Sequence, residues 1–456
     1  MMHASQKFGL YLGLLLPFAT FLIPGLSWSS QMALAISVFA IVYWTFEPVP
    51  IPYTAILMLT LYPLLQVLPF ETTFNAFSGK VIWLVFSGMA LSLGLTETPL
   101  GLRIAHLILD RVRSYQQLLF GLHLLGLLMA LLIPSGVVRV LILMPMVLSL
   151  LKSLGEQPGS KISAAFVLAV VCSTYYGGVG ILTASVPNLV LLGVLDTHKI
   201  TLYWSQWAYY LFPVIGLLRV IMIYFLIRFI FRPPQEPDLS TPPTITDVPQ
   251  NLTPAEKKVL GVLLTGILLW ATDVLHGLHP VFIGLGIVLF IYLPVWGPLQ
   301  FDTIKKVNFP LLIYIAATFT IGYALEHTGL IHHLTAICTP FLQKITSPIV
   351  LLGCITYLAI PFDFLMDTAV VAGVLTPLIL DLATALNFPP LPLVLSLGIG
   401  TGIVSIPYQS APFVVAYSFR QATMGQFILM MMLISLVTLT LLVPLNLLYW
   451  HLIGFV

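Results

Sequence analysis

The chain reads as a series of long apolar runs cut by short polar turns. Stretches without a single Asp, Glu, Lys or Arg cover 8–46, 48–70, 81–96, 114–138, 162–195, 274–301, 382–419 and 421–456. A helix that crosses a bilayer needs ~20 apolar residues, so most of these runs are long enough to span once. Crossings are predicted at about 8–26, 33–47, 52–69, 81–97, 162–195 and 203–227, then at 258–275, 279–298, 309–326, 390–419 and 424–455. Two further apolar segments, 115–151 and 346–384, read as helices that enter and return. The first carries Ile133-Pro134-Ser135-Gly136 at its middle, a helix-breaking run that predicts a re-entrant hairpin. The predicted fold is an all-α integral membrane protein with about eleven transmembrane helices and two re-entrant hairpins.

Charge placement sets the orientation. With Lys7 and the N-terminus in the cytoplasm, thirteen Lys and Arg residues fall inside, from Arg103, Arg111 and Arg113 to Lys305, Lys306 and Arg420. Only Lys80, Lys199 and Lys344 fall outside, an asymmetry that follows the positive-inside rule. Turning either hairpin into a full crossing would spoil the agreement. The apolar stretch Phe8 to Leu26 lacks a small-residue cleavage site and is read as a retained helix. The expected location is the cell membrane, a bacterial inner membrane, with a multi-pass chain.

Composition closes off the soluble classes. Charged residues make up 7% of 456 and hydrophobic ones 59%, against ~25% charged in a soluble domain. A net charge of +2 with no dense basic cluster gives no nucleic-acid partner. Cys172, Cys338 and Cys354 are isolated thiols in apolar segments, which leaves no disulfide framework and no zinc motif.

One substantial hydrophilic segment, 232–257, is a proline-rich solvated linker. It runs into Thr253-Pro254-Ala255-Glu256, a capping box that predicts a helix start. The linker divides the chain into an N-terminal helix (1–30), a first repeat (31–231) and a second repeat (258–456). Equivalent positions advance at a near-constant offset: Leu100 to Leu330, Pro145 to Pro377, Pro187 to Pro412. Each repeat has five crossings and a hairpin, and an odd number of crossings inverts the second repeat in the membrane. Inverted repeats with broken helices are a recurrent plan of secondary transporters.

At this point the residues resemble a known family. Trp44-Thr45-Phe46-Glu47-Pro48-Val49-Pro50-Ile51-Pro52-Tyr53-Thr54, Val81-Ile82-Trp83-Leu84 and Leu100-Gly101-Leu102-Arg103-Ile104-Ala105 look like stretches of the divalent anion/sodium symporters. So does Gly177-Gly178-Val179-Gly180-Ile181-Leu182-Thr183-Ala184-Ser185-Val186-Pro187-Asn188. The resemblance, from about residue 35 to the end, implies a homodimeric carrier of a small anionic solute such as a dicarboxylate, citrate or sulfate. It also implies an elevator mechanism and substrate binding at both hairpin tips, where family members carry Ser-Asn-Thr. This chain departs there, with Ser135-Gly136-Val137-Val138-Arg139 at the first tip and Met366-Asp367-Thr368-Ala369 at the second. Ser410-Ala411-Pro412-Phe413 keeps a hydroxyl of the second loop and loses the amide.

The candidate substrate-binding residues are therefore Ser135, Gly136, Val137, Arg139, Ser185, Pro187, Asn188, Asp367, Thr368, Ser410 and Pro412, with Asp363 and Asp367 for a coupling ion. Broken helices leave free N–H groups at one end and free carbonyls at the other, which suit an anion and a cation. Arg139 is expected to stand where a sodium ion would otherwise bind, and Asp367 to balance it or carry a proton. The pair should face each other or a charged substrate. Sodium coordinated by main-chain carbonyls and Asp367 is the open alternative. Arg219 and Asp273 are expected to snorkel or pair within the scaffold. Glu326, His327, His332 and His333 lack metal-ligand spacing, so no metal site is expected. No enzyme motif is present: Gly-x-Gly-Asp, His-Glu-x-x-His and a nucleotide-binding P-loop are all missing. The remaining rival to a transporter is a receptor or subunit that keeps the fold without moving solute.

Overall fold

A computed structural model describes residues 4–109, 112–133, 135–237 and 251–456. Every regular element among them is helical. Among the described residues, eight helices are long and apolar enough to cross a bilayer, including Trp28–Phe46, Lys161–Gly178 and Phe309–His327. Other expected crossings are shorter, such as Ile51–Leu64 and Pro280–Ile291. The expected first crossing is a helix over Ala4–Leu15 that tightens into a 3-10 turn at Leu16–Leu22, where Pro17 withholds an N–H. Pro134 and linker residues 238–250 lie outside the described residues. The helix after the linker starts at Pro254. The Glu256 carboxylate accepts from Thr253 N (2.8 Å), and the Thr253 hydroxyl accepts from Glu256 N (3.2 Å). Arg103 donates to the same carboxylate at 3.0 Å, which ties the arm Leu100–Leu109 to the start of the second repeat.

The two repeats are built alike. Each has a hairpin of two helices: Tyr115–Leu132 with Gly136–Ser153, and Pro348–Asp363 with Thr368–Ala385. Each also has a helix broken in two: Lys161–Gly178 with Val186–Thr197, and Pro390–Thr401 with Ala411–Ser418. Each ends in a long helix with a π-helical stretch inside it, Phe212–Leu218 within Trp204–Ile230 and Thr438–Leu442 within Met424–Leu452. Such wide turns shift the register of a helix and are frequent at functional sites.

Packing interlocks the repeats. Each hairpin's first arm lies on its own broken helix: Tyr115–Leu132 on Lys161–Gly178, and Pro348–Asp363 on Pro390–Thr401. Each second arm lies on the other repeat's broken helix: Gly136–Ser153 on Ala411–Ser418, and Thr368–Ala385 on Val186–Thr197. Small residues set the spacing. A Cβ on Gly400 would come 2.4 Å from the Thr356 carbonyl, and one on Gly136 would come 2.7 Å from Pro412 Cγ. Close approach through glycine is the usual device where helices are apolar on all sides.

Two predictions follow from this arrangement. Lys152, in the last turn of the first hairpin, and Lys344, before the second, are both exposed. In a background with the three cysteines replaced, cysteines at these positions should react with an impermeant thiol reagent from opposite faces of the membrane. Reaction from the same face would contradict inverted repeats. The second prediction concerns His198, which caps Val186–Thr197 and lies 3.5 Å from the Glu326 carboxylate. Its hydrogen bond to Glu326 raises the imidazole pKa above the ordinary value of 6.5, against the opposing effect of burial. A raised folded-state pKa gives stability that is fully present below about pH 6.5 and is lost as pH rises through the raised value. The melting temperature of His198→Ala should therefore fall further below wild type at pH 6 than at pH 8.5.

Candidate functional site

Both tips and both breaks meet at one cavity of about 130 Å³. Ten of the eleven candidate substrate-binding residues line it: Ser135, Gly136, Val137, Arg139, Ser185, Pro187, Asp367, Thr368, Ser410 and Pro412. This space suits a small solute, beside the ~300–1,000 Å³ of drug-sized pockets.

Four helices begin at this cavity. Their N-cap residues are Ser135, Ser185, Asp367 and Ser410, one from each hairpin and one from each broken helix. Ser135 caps its own helix by accepting from Val138 N at 3.4 Å, and Asp367 accepts from Ala369 N at 2.9 Å. Ser185 and Ser410 make no such bond, so the first N–H groups of Val186–Thr197 and Ala411–Ser418 have no side-chain cap. The positive ends of four helix dipoles thus converge on one small volume.

Arg139 sits one turn into the second arm and is 1% exposed. Nη1 donates to Ile133 O at 3.0 Å and to Ala130 O at 3.4 Å, the carbonyl end of the hairpin's first arm. Nη2 donates to Ala184 O at 2.9 Å, in the break of the first broken helix. Nε is buried without a partner among the described residues. Of the two arrangements expected for Arg139 and Asp367, a direct ion pair is not formed, while both side chains line the cavity where a charged solute would sit. Three main-chain carbonyls occupy the guanidinium, and the Asp367 carboxylate instead accepts from Ala369 N and from the Tyr314 hydroxyl at 3.1 Å. Tyr314 packs edge-on against Trp44 with centroids 5.0 Å apart, and Thr45 Oγ1 donates to Leu365 O at 2.9 Å. The stretch around Trp44 thereby clamps the second tip.

Two candidates lie off the cavity lining. Asn188 is 1% exposed, and its amide donates to the Gly178, Val179 and Ile181 carbonyls at 3.4, 3.2 and 3.0 Å. It ties down the break instead of reaching the cavity. Asp363 closes the second hairpin's first arm, fully buried, and both carboxylate oxygens lack a partner among the described residues. Sequence reasoning also missed residues that matter here. Tyr175, Tyr314 and Leu311 line the cavity, and the buried Tyr175 hydroxyl lies beside those of Ser410 and Thr368. Gln409 supplies the amide lost at Phe413: Nε2 donates to Asp363 O at 2.8 Å, while Oε1 accepts from Ser405 N and Ile406 N, both at 2.7 Å. Its place inside the second break was the available signal.

Arg219 and Asp273 neither snorkel nor pair with each other. Arg219 donates to Gly402 O at 3.1 Å, and Asp273 accepts from Trp204 N at 2.7 Å and Ser205 N at 3.3 Å. Asp273 therefore acts as a distant cap for a helix whose N-cap residue, Tyr203, makes no side-chain cap bond.

The contrast between Asn188 and Ser185 is testable. Asn188→Ala removes a donor shared by three buried carbonyls, each of which keeps one other donor, and should cost about 1 kcal/mol of stability, read as a lower melting temperature. Ser185→Ala removes a hydroxyl with no partner among the described residues and should leave the melting temperature unchanged. Equal shifts in the two variants would contradict this division of roles.

Comparison with known proteins agrees with the fold. An L-tartrate/succinate antiporter of Escherichia coli (strain UTI89 / UPEC) is 24% identical over 360 residues, covering 75% of this chain and 73% of the relative. A membrane protein of Cupriavidus necator is 27% identical over 337 residues, covering 67% of this chain and 64% of the relative. Among solved structures, the YdaH transporter of Alcanivorax borkumensis superimposes with a TM-score of 0.55 at 18% identity over 99% of both chains. MtrF of Neisseria gonorrhoeae gives 0.58 at 13% identity over 95% of this chain and 97% of the other. The sequence model of the sodium:sulfate symporter transmembrane region matches residues 5–456, and the chain belongs to that family, the divalent anion/sodium symporters.

Proposed function

We propose that this membrane protein exchanges small dicarboxylates across the bilayer without sodium. The observation that carries this reading is the pairing of charges at the broken helices. Four helix N-termini point at one cavity, where a carboxylate is favoured, and a resident guanidinium fills the adjoining carbonyl end. The family is one of transporters, and the relatives bearing the name L-tartrate/succinate antiporter suggest the class of solute. The hydroxyls of Ser185, Ser410, Thr368 and Tyr175 at the cavity support carboxylate binding there.

Sodium fits the first tip poorly. A sodium site needs several free oxygens, and Gly136 and Val137 bring no side-chain oxygen. The Ala130, Ile133 and Ala184 carbonyls already accept from Arg139. A fixed guanidinium does not dissociate, so net movement of a cation with the solute would fall to a proton. Asp363, a buried carboxyl without donor or counter-ion among the described residues, would be the group to take one. Without that proton the protein works as an obligate exchanger.

The interlocked packing supports an elevator. Each hairpin is wedged onto the other repeat, so the cavity cannot open by parting the repeats without dismantling its own walls. Alternating access then requires the hairpins and broken helices to shift as one body. The expected homodimer would supply the fixed frame.

Proteoliposomes loaded with unlabelled succinate should take up labelled succinate or tartrate faster than unloaded vesicles. Replacing sodium by choline should change the initial rate by less than about twofold, well under the ~1.4 kcal/mol that a tenfold effect represents. Arg139→Ala should lower uptake at least tenfold while the protein still inserts. A steep sodium dependence would overturn the exchanger reading, and binding without uptake would select the receptor. Uptake that accelerates with an inward proton gradient and loses that response in Asp363→Asn would assign the proton to Asp363.

A further inference from the structure

Arg139 is not the only cation buried in the bundle. Arg219 follows the π-helical stretch Phe212–Leu218 and is 0% exposed. Its Nη2 donates to Gly402 O at 3.1 Å, and its guanidinium carbon lies 4.4 Å from the centroid of the Tyr176 ring. Nε and Nη1 are buried without partners, and Arg219 forms no ion pair among the described residues. Gly402 is the C-cap of Pro390–Thr401, the first piece of the second broken helix. Tyr176 belongs to the first broken helix and donates its hydroxyl to Val404 O in the same break. The two breaks touch: a Cβ on Gly402 would meet Val179 Cγ1 at 2.6 Å.

We infer that Arg219 is a second resident cation, which holds the carbonyl end of the second broken helix as Arg139 holds that of the first hairpin's first arm and the Ala184 carbonyl inside the first break. Both breaks then carry their own positive charge, and neither requires a dissolved cation. Charge is the decisive point. A neutral amide would satisfy the Gly402 carbonyl equally well as a hydrogen-bond donor. Burying a guanidinium with two idle nitrogens and no carboxylate is costly. Here the cost is offset by what attracts positive charge as such: the negative end of a helix dipole and the face of an aromatic ring. Arg219 is a positioning residue, since it does not line the cavity. The inference extends the sodium-free reading above, and its test does not depend on finding the transported solute.

The experiment is thermal unfolding of the purified full-length protein in choline, sodium and low-millimolar guanidinium chloride. Arg219→Gln keeps a donor and removes the charge. It should melt below wild type in choline and recover by about 2–4 °C when sodium or guanidinium is supplied, because an ion that binds only the folded state stabilises it. Wild type and Arg219→Lys should show no such recovery. Should Arg219→Gln fail to fold, Arg219→His assayed at pH 6 and pH 8.5 takes its place, with cation-dependent recovery expected only at pH 8.5. A charge-free variant that melts at one temperature in all three salts overturns the inference. A wild-type protein that fails the succinate exchange assay while Arg219→Gln still recovers with cations would overturn the dicarboxylate reading alone.

Discussion

The interior of the bundle holds eight helix ends, four N-terminal and four C-terminal, and every one exposes main-chain groups that need partners away from water. That constraint organises the rest of the molecule. At the C-terminal ends, carbonyls receive Arg139, Asn188, Trp207, Gln409 and Arg219. At the N-terminal ends, Ser135 and Asp367 cap their own helices, whereas Ser185 and Ser410 do not. The protein thus satisfies its carbonyl ends internally and leaves N–H groups pointing into the cavity. A structure arranged this way is preset for an anion.

Much of this outline was legible in the sequence. Apolar length gave the helices, and the break at Ser135-Gly136 and the glycines at 177, 178 and 180 marked a tip and a break. The capping box at Thr253 gave a helix start that the structure reproduces to the residue. What was not legible was the choice of partner for each broken end. Trp207 reaches Val179, Tyr176 reaches Val404 and Arg219 reaches Gly402, over sequence separations that no local pattern encodes. Helices that are apolar on every side carry no moment to say which face meets which neighbour. The pairing of Arg139 with Asp367 was argued from charge alone, and the nearer carbonyls prevailed because they lie on the same hairpin.

Repeat symmetry also explains where expectation and structure part. Asn188 belongs to the loop-closing motif of the first repeat, and its counterpart is Phe413. An amide at that place was expected to meet solute. In the structure it braces the break, and the second repeat meets the same need with Gln409 from within the loop. The requirement is shared by both repeats, and the residue that meets it is not.

Four charged side chains at or against the tips and breaks are divided between the repeats by sign. Arg139 and Arg219 come from the first repeat, Asp363 and Asp367 from the second, and no two of them form an ion pair. The position equivalent to Arg139 in the second repeat is Val371, as judged by the matching helix starts Gly136 and Thr368. Pairing them directly would leave the carbonyl ends bare. Keeping them apart lets each guanidinium serve a helix break, while the carboxyls keep the sum of charge near zero when ionised. For any body that shifts relative to a bilayer, a near-neutral core lowers the cost of the journey, since each uncompensated charge near the midplane costs at least ~2.5 kcal/mol. Binding a doubly charged anion disturbs that balance, and a second such anion returning in exchange restores it. Under the exchange proposed above, this division of charge keeps the two legs of the cycle alike in charge.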